Sequence, residues 1–243
     1  FSVLVGTIFE NTNKPLCQWF RVMHMMLTST TGISALQIYR VMGFGSYNTA
    51  LLMCNKIRAA LGNVEFKQLV GYVEVDETFV GGKLKNMHKA KQDRYRALSE
   101  TDFFGGPTGK AVVVGLLDRQ ARKIRATVVP DVSRLTLQNA VLKNVMHGTN
   151  VYTDQAPSYK RLKQNDYVHE VVNHVETYVR GRVHTNGLEN FWSLLKRGLS
   201  GTYVAVEPFH LERYVDEQAF RYNNRATKDN PLNDSDRFLL ALS

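Results

Sequence analysis

The order of hydrophobic periods along the chain predicts an α/β protein, with a small helical domain ahead of a mixed-sheet domain. Up to about residue 65 the apolar residues recur at helical spacing. From residue 67 the pattern shortens to strands that alternate with helices in the order β-β-β-α-β-α-β-α. Length agrees: 243 residues, 44% of them hydrophobic, suffice for one core of ordinary size plus a smaller unit. The reading divides the chain into 1–65 and 66–243.

Residues 6–27, GTIFENTNKPLCQWFRVMHMML, open with a turn-rich piece and become an amphipathic helix after Pro15, which suits a helix start. Trp19, Val22, Met23, Met26 and Leu27 form its apolar face, a methionine-rich stripe of the kind found in cores. Residues 34–42 and 46–61 are two further helices joined at Gly43-Phe44-Gly45, the outline of a helix-turn-helix, with Ser34 and Ser46 as N-caps. Tyr47, Asn48 and Thr49 then stand where a recognition helix meets base edges, and Lys56 and Arg58 are available for phosphates. A helical hairpin that binds nothing has the same outline. The glycine pair around Phe44 is no phosphate loop, since a third glycine and a preceding strand are missing.

In the second domain, 69–78, 111–118 and 123–129 read as strands, the last two forming a hairpin through 119–122. Ser133 caps a helix to about 146, 150–153 is a short strand ending at Asp154, 157–163 is a helix and 167–172 a fifth strand. Between the first two strands, 81–110 is a long basic insertion with Lys83, Lys85, Lys89, Lys91, Arg94 and Arg96. It reads equally as a solvated charged loop or as an arm for the DNA backbone. The helix over 185–198 buries Leu188, Phe191, Trp192 and Leu195 and lines its other side with Glu189, Ser193 and Lys196. A last helix over 208–223 turns Leu211, Tyr214, Val215 and Phe220 inward. This order, with acids in the first strand, after the fourth and on the helix that follows the fifth, is that of the ribonuclease H-like fold, where acids at strand ends open onto a crevice.

Asp76, Asp154 and Glu189 are read as converging on divalent metal. The competing reading makes Asn186 and Glu189 a capping box, in which the glutamate does no chemistry. Thirty-one Lys and Arg against 22 Asp and Glu leave a formal net charge of +9, which favours a polyanionic partner such as nucleic acid. Cys17 and Cys54 are too few for a disulfide framework and lack zinc-site spacing, and both read as free thiols in apolar surroundings. No apolar run has membrane-span length and no signal-peptide pattern is present, so no membrane partner is expected and the location expected is cytoplasmic, in association with the nucleoid.

Several linked motifs carry a resemblance. VEVDETFVGGK (73–83), VYTDQAPSYKRL (151–162), VNHVETY (172–178), HTNGLENFWSLLKRGLSGTY (184–203) and FRYNNR (220–225) occur in order, after GTIFENTNKPLCQWF (6–20) and GISALQIYRVMG (32–43). In this order they resemble the IS1595-family, ISXO2-like transposases of bacterial insertion sequences. The resemblance implies a DDE-type enzyme that uses Mg²⁺ or Mn²⁺, as two ions, to cut double-stranded DNA at element ends and join it to a target. It also implies a homo-oligomer assembled on DNA. Asp76 and Asp154 match the first two metal-binding acids. The third position is glutamate or asparagine in the family; Glu189, 35 positions after Asp154 and seven before Lys196, is taken, with Asn186 as the alternative. Lys196 and Arg197 are then expected at the phosphate backbone. The family's upstream zinc ribbon is missing from this sequence, and Phe1 in place of Met predicts a segment before it. An inactive DNA-binding regulator and a ribonuclease H-like nuclease are the alternative functions.

Overall fold

The computed structural model describes residues 3–62, 67–82, 86–90, 92–93, 109–154, 157–159, 166–171, 184–204, 206–228 and 230–242. The VNHVETY motif and all the insertion's named basic residues except Lys89 lie outside them. Two compact units are present, one formed by 66–190 and the other by 1–65 together with 191–243. This differs from the expected second domain running to the C-terminus. The reason is visible in the packing of the last 50 residues, described below.

The 66–190 unit is built on a five-stranded sheet of order β3-β2-β1-β4-β5: β1 (Tyr72–Val80), β2 (Ala111–Asp118), β3 (Lys123–Val129), β4 (Asn150–Thr153) and β5 (Val168–Val171). The first three strands are antiparallel neighbours, whereas β1–β4 and β4–β5 pair in parallel. Asp118 closes the β2–β3 turn by accepting from the amides of Gln120 and Ala121 at 2.8 and 2.9 Å. Alternation then sorts the strands into faces. Val73, Val75, Val114, Leu116 and Val151 join Leu137 and Val141 of α4 (Arg134–Asn144) in one apolar cluster. Ser133 caps that helix, its hydroxyl accepting from Thr136 N at 3.3 Å. Beyond Asp154, Pro157–Tyr159 form a 3₁₀ turn, and the rest of the helix expected over 157–163 lies outside the described residues.

In the other unit, α1 (Leu16–Thr28) buries Trp19, Val22, Met23, Met26 and Leu27, the face read from the periodicity. It packs with α2 (Ala35–Met42) and α3 (Tyr47–Ala60). Ser34 and Ser46 cap these two helices, accepting from Gln37 N and Asn48 N at 3.2 Å each. Gly43 ends α2 with φ 62°, the left-handed conformation that glycine adopts without strain. α5 (Asn186–Arg197) crosses the division between units: its residues to Asn190 belong to the sheet unit, and those from Phe191 to the helical one. A π-helical turn, Gly198–Tyr203, follows, then α6 (Leu211–Asn223) and α7 (Asp234–Leu240).

Long-range polar contacts bind the C-terminal segment to α1–α3. Glu217 of α6 pairs with Arg58 of α3, Arg221 donates to the Ser29 carbonyl at 2.7 Å, and Arg237 of α7 donates to the Leu27 carbonyl at 3.1 Å. α7 escaped the sequence reading, although Asn233 and Asp236 form a reciprocal capping box at its start. Among the described residues no helix is long and apolar enough to cross a membrane.

Half-buried Asp216 on α6 carries a consequence for pH. Burial, with the charge of Glu212 one turn away, pushes its carboxyl from an ordinary 3.8 up to about 7. The folded state therefore holds this proton more tightly than the unfolded chain, and stability falls as pH rises through that window. Asp216→Asn is expected to melt higher than the parent above pH 7, with the difference shrinking as the pH is lowered to 4. Melting curves across that range check it, and a difference that grows on acidification refutes it.

Candidate active site

Asp76 lies inside β1, and Asp154 follows the last residue of β4. The parallel register pairs Tyr72 with Asn150, Val73 with Val151 and Glu74 with Tyr152. Continued by two positions, it sets Asp76 beside Asp154, on the face that also carries Glu74. On its other side Asp76 is paired with Gly115 of β2, so that strand presents no side chain next to the carboxylate. Glycine inside a strand marks a place of close approach to the backbone. VVVGLLD held that signal, and the sequence reading passed over it.

Glu77 follows Asp76 in β1 and points to the other face of the sheet. Its Oε2 accepts from the Tyr159 hydroxyl at 2.7 Å. Burial pushes its carboxyl up to about 7; the Tyr159 hydrogen bond works against the rise, and the charges of Asp154 and Asp76 add to it. Thr153 steadies the end of β4: its hydroxyl donates to the Asp154 carbonyl and accepts from His169 Nε2, each at 2.8 Å.

The first turn of α5 meets Glu74 on the same face. The Thr185 carbonyl accepts from Glu189 N at 3.0 Å, which makes Thr185 the cap residue. Glu74 Oε2 accepts from Leu188 N at 3.1 Å. Asn186 is the first residue of the helix, and the amide it would cap is already held by Thr185. The Asn186–Glu189 capping box is therefore not what closes this end.

Glu74 is 1% exposed, and its Oε1 accepts from Arg119 Nε at 2.6 Å. Arg119 also donates through Nη2 to His184 Nδ1 at 2.9 Å and to the His184 carbonyl. Arginine only donates, so Nδ1 accepts and the imidazole is neutral with its proton on Nε2. Burial, then Arg119, hold the ring below 6.5 against the pull of Glu74 and Glu189. With the ring neutral, the 3.5 Å approach of Nδ1 to Glu74 Oε1 is a contact and not an ion pair.

Carboxylate oxygens suit hard divalent cations, and Asp76 and Asp154 supply them. The donor type fits such an ion. Among the described residues no three of His, Cys, Asp or Glu stand close enough to hold a metal. The structure thus brings Asp76 and Asp154 together and leaves Glu189, exposed in the first turn of α5, outside their group.

Of the expected DNA contacts, Tyr47 and Asn48 are exposed on the first turn of α3, and Lys196 and Arg197 are exposed at the end of α5. Lys56 and Arg58 make contacts within the helical unit. Lys56 Nζ turns inward to the carbonyls of Ile8 and Glu10 at 3.2 and 3.5 Å. Arg58 is 1% exposed and pairs with Glu217 through Nε at 2.6 Å. It lies four residues after Cys54 and three before Leu61, on the buried stripe of α3, where a basic residue needs an internal partner.

Residues 68–223 match the model of the ISXO2-like transposase domain, a span that contains the whole sheet and α5. The chain belongs to the ISXO2-like transposase family. This transposase chain is 28% identical over 202 residues to an uncharacterized protein in transposable element ISH50 of Halobacterium salinarum, covering 82% of this chain and 67% of that one. Superposition on a chain of the simian T-cell lymphotropic virus intasome, solved in complex with PP2A regulatory subunit B56 gamma, gives a TM-score of 0.36 at 13% identity. It covers 72% of the transposase chain and 61% of the intasome chain.

Proposed function

We propose that this chain is a DDE-type transposase with a ribonuclease H-like catalytic unit, cutting DNA at element ends and joining those ends to target DNA. The observation that carries the proposal is the register of β1 and β4, which, continued two positions past Glu74 and Tyr152, runs Asp76 alongside Asp154, with Gly115 adding no side chain beside Asp76. The strand order supports the fold reading, since an antiparallel β3-β2-β1 continues into parallel β4 and β5. Asp76, Asp154 and Glu189 hold Mg²⁺ or Mn²⁺, as two ions, and Asn186 is the alternative third ligand. Ions held by these residues would supply Lewis-acid activation of the attacking oxygen and stabilisation of the leaving one. The aspartates of β1 and β4 would hold the cations to which the scissile phosphate binds, and α5 brings in the third side chain. Lys196 and Arg197 hold the DNA backbone. Tyr47 and Asn48, presented on the capped start of α3, support a helix-turn-helix role in reading double-stranded DNA. Assembly on paired ends makes the working form a homo-oligomer.

The test is incubation of the protein with DNA carrying its element ends, with Mg²⁺ or Mn²⁺ and a target plasmid. Cleavage followed by joined product is expected. DNA binding with neither step points to the inactive regulator, and cutting of branched or hybrid substrates without joining to the nuclease.

The third ligand is decided by a pair of variants. Glu189→Gln is expected to abolish cleavage with its melting temperature unchanged. Asn186→Ala is expected to keep its melting temperature and at least part of its activity, because Thr185 and Glu74 already hold the helix amides. An active Glu189→Gln protein moves the ligand to Asn186.

A further inference from the structure

We propose that Glu74 is a positioning residue of the active site: its buried carboxylate docks the first turn of α5 on β1 and so sets where the third metal-binding side chain stands relative to Asp76 and Asp154. The inference rests on the proposed function for its chemistry and on geometry for its content. A carboxylate this buried is costly unless both oxygens are engaged. One takes Arg119 Nε at 2.6 Å and the other Leu188 N at 3.1 Å. The second bond satisfies an amide that the helix leaves without an internal partner, and it puts a negative charge at the positive end of α5. Glu74 is thereby saturated and is no metal ligand itself.

Two further contacts make the docking specific. A Cβ on Gly187 would stand 2.3 Å from Leu117 Cδ2 and 2.9 Å from Glu74 Oε2, so the helix backbone lies directly on the sheet. Arg119 joins all three acid-bearing elements. It pairs with Glu74 of β1, lies 4.6 Å over the Tyr152 ring of β4 two residues before Asp154, and donates to His184 at the approach to α5. Glu74 and Asp76 are successive residues on one face of β1, about 7 Å apart along the strand. A shift of α5 against Glu74 is therefore a shift against Asp76.

Glu74→Gln keeps the side-chain size and removes the charge. Gly187→Ala lifts the turn without changing any charge. Val141→Ala, in the apolar cluster on the opposite face, is the control that loses stability without touching the contact. Three quantities are measured on each: hydrogen exchange at the Leu188 amide, Mn²⁺ affinity by titration, and single-turnover DNA cleavage with KM and kcat separated. Both Glu74→Gln and Gly187→Ala are expected to speed Leu188 exchange and to lose roughly ten- to a hundredfold in Mn²⁺ affinity and kcat, the usual cost of disturbing a residue behind a metal ligand, with KM for DNA unchanged. Val141→Ala keeps wild-type values. If Glu74→Gln and Gly187→Ala bind Mn²⁺ and cleave like wild type, or if Val141→Ala loses as much, the positioning role is overturned while the active site stands. If Asp76→Asn binds Mn²⁺ as wild type does, the site reading itself falls, and this proposal with it. Should Glu74→Gln fail to fold, Gly187→Ala decides.

Discussion

Replacing Asp76 or Asp154 by asparagine is expected to lower metal-dependent DNA cleavage by on the order of a thousandfold or more, with folding and DNA binding retained. The size follows from the charge. A bound divalent cation stabilises the transition state by several kcal/mol, and each 1.4 kcal/mol is tenfold in rate. Asparagine keeps the shape and one oxygen donor but halves the negative charge of an adjacent pair. Neither aspartate is a packing residue: both are partly exposed, and Asp76 faces a glycine across the sheet. Melting temperatures near the parent's are therefore expected, which separates this loss from unfolding. The raised carboxyl of Glu77 supplies an independent reading, because removing either neighbouring charge lowers it. Side-chain carboxyl titration by NMR measures that shift without metal or DNA. Full cleavage by either variant removes the aspartate pair from the mechanism.

Glu217→Ala is expected to be the most destabilising single change in the helical unit, at about 3–5 kcal/mol. Glu217 is 1% exposed; its Oε2 takes Arg58 Nε at 2.6 Å, and its Oε1 takes Arg221 Nη2 and the Tyr203 hydroxyl at 2.7 Å each. Burial opposes the charge on Arg58, yet Glu217, with Tyr214 and Tyr203, raises the guanidinium further above its ordinary range. Alanine leaves that cation buried without an anion, beside Asn55 Oδ1 at 3.4 Å, the Tyr214 ring at 4.1 Å and the Tyr203 ring at 5.1 Å. For a chain of this length the loss corresponds to a fall of roughly 6–20 °C in the melting transition of that unit. Glu217→Gln loses less, since one acceptor remains. The double variant Arg58→Met with Glu217→Leu recovers part of the loss, because it no longer strands the Arg58 charge, while Arg221 and the Tyr203 hydroxyl still lose their acceptor. A single variant within 1 kcal/mol of the parent, measured by denaturant unfolding, refutes the account.

What the sequence determined by itself is what depends on residues a few positions apart. The strands at 111–118, 123–129 and 150–153 have the bounds their composition predicted, and the buried face of α1 is the one its period marked. Ser34, Ser46 and Ser133 cap the helices they precede. Asp76, Asp154 and Glu189 were read as a set from their motifs and their order along the chain. The capping box of α7 and the glycine of β2 were legible as well, and went unread.

Only the tertiary structure decided the roles of Arg58, Glu74 and Glu217. Arg58 and Lys56 read as surface cations because most basic residues are, and sequence alone does not reveal that α3 would bury Arg58 against a glutamate 159 positions away. Glu74 carries no local signal of its role. Its partners, Arg119 and the Leu188 amide, lie 45 and 114 positions distant. The chain's division between units follows the same rule, since the segment from Phe191 joins the N-terminal helices through ion pairs and carbonyl contacts spanning most of its length. Periodicity and capping act within one or two turns and are written locally, whereas a buried charge takes its meaning from whichever partner packing delivers.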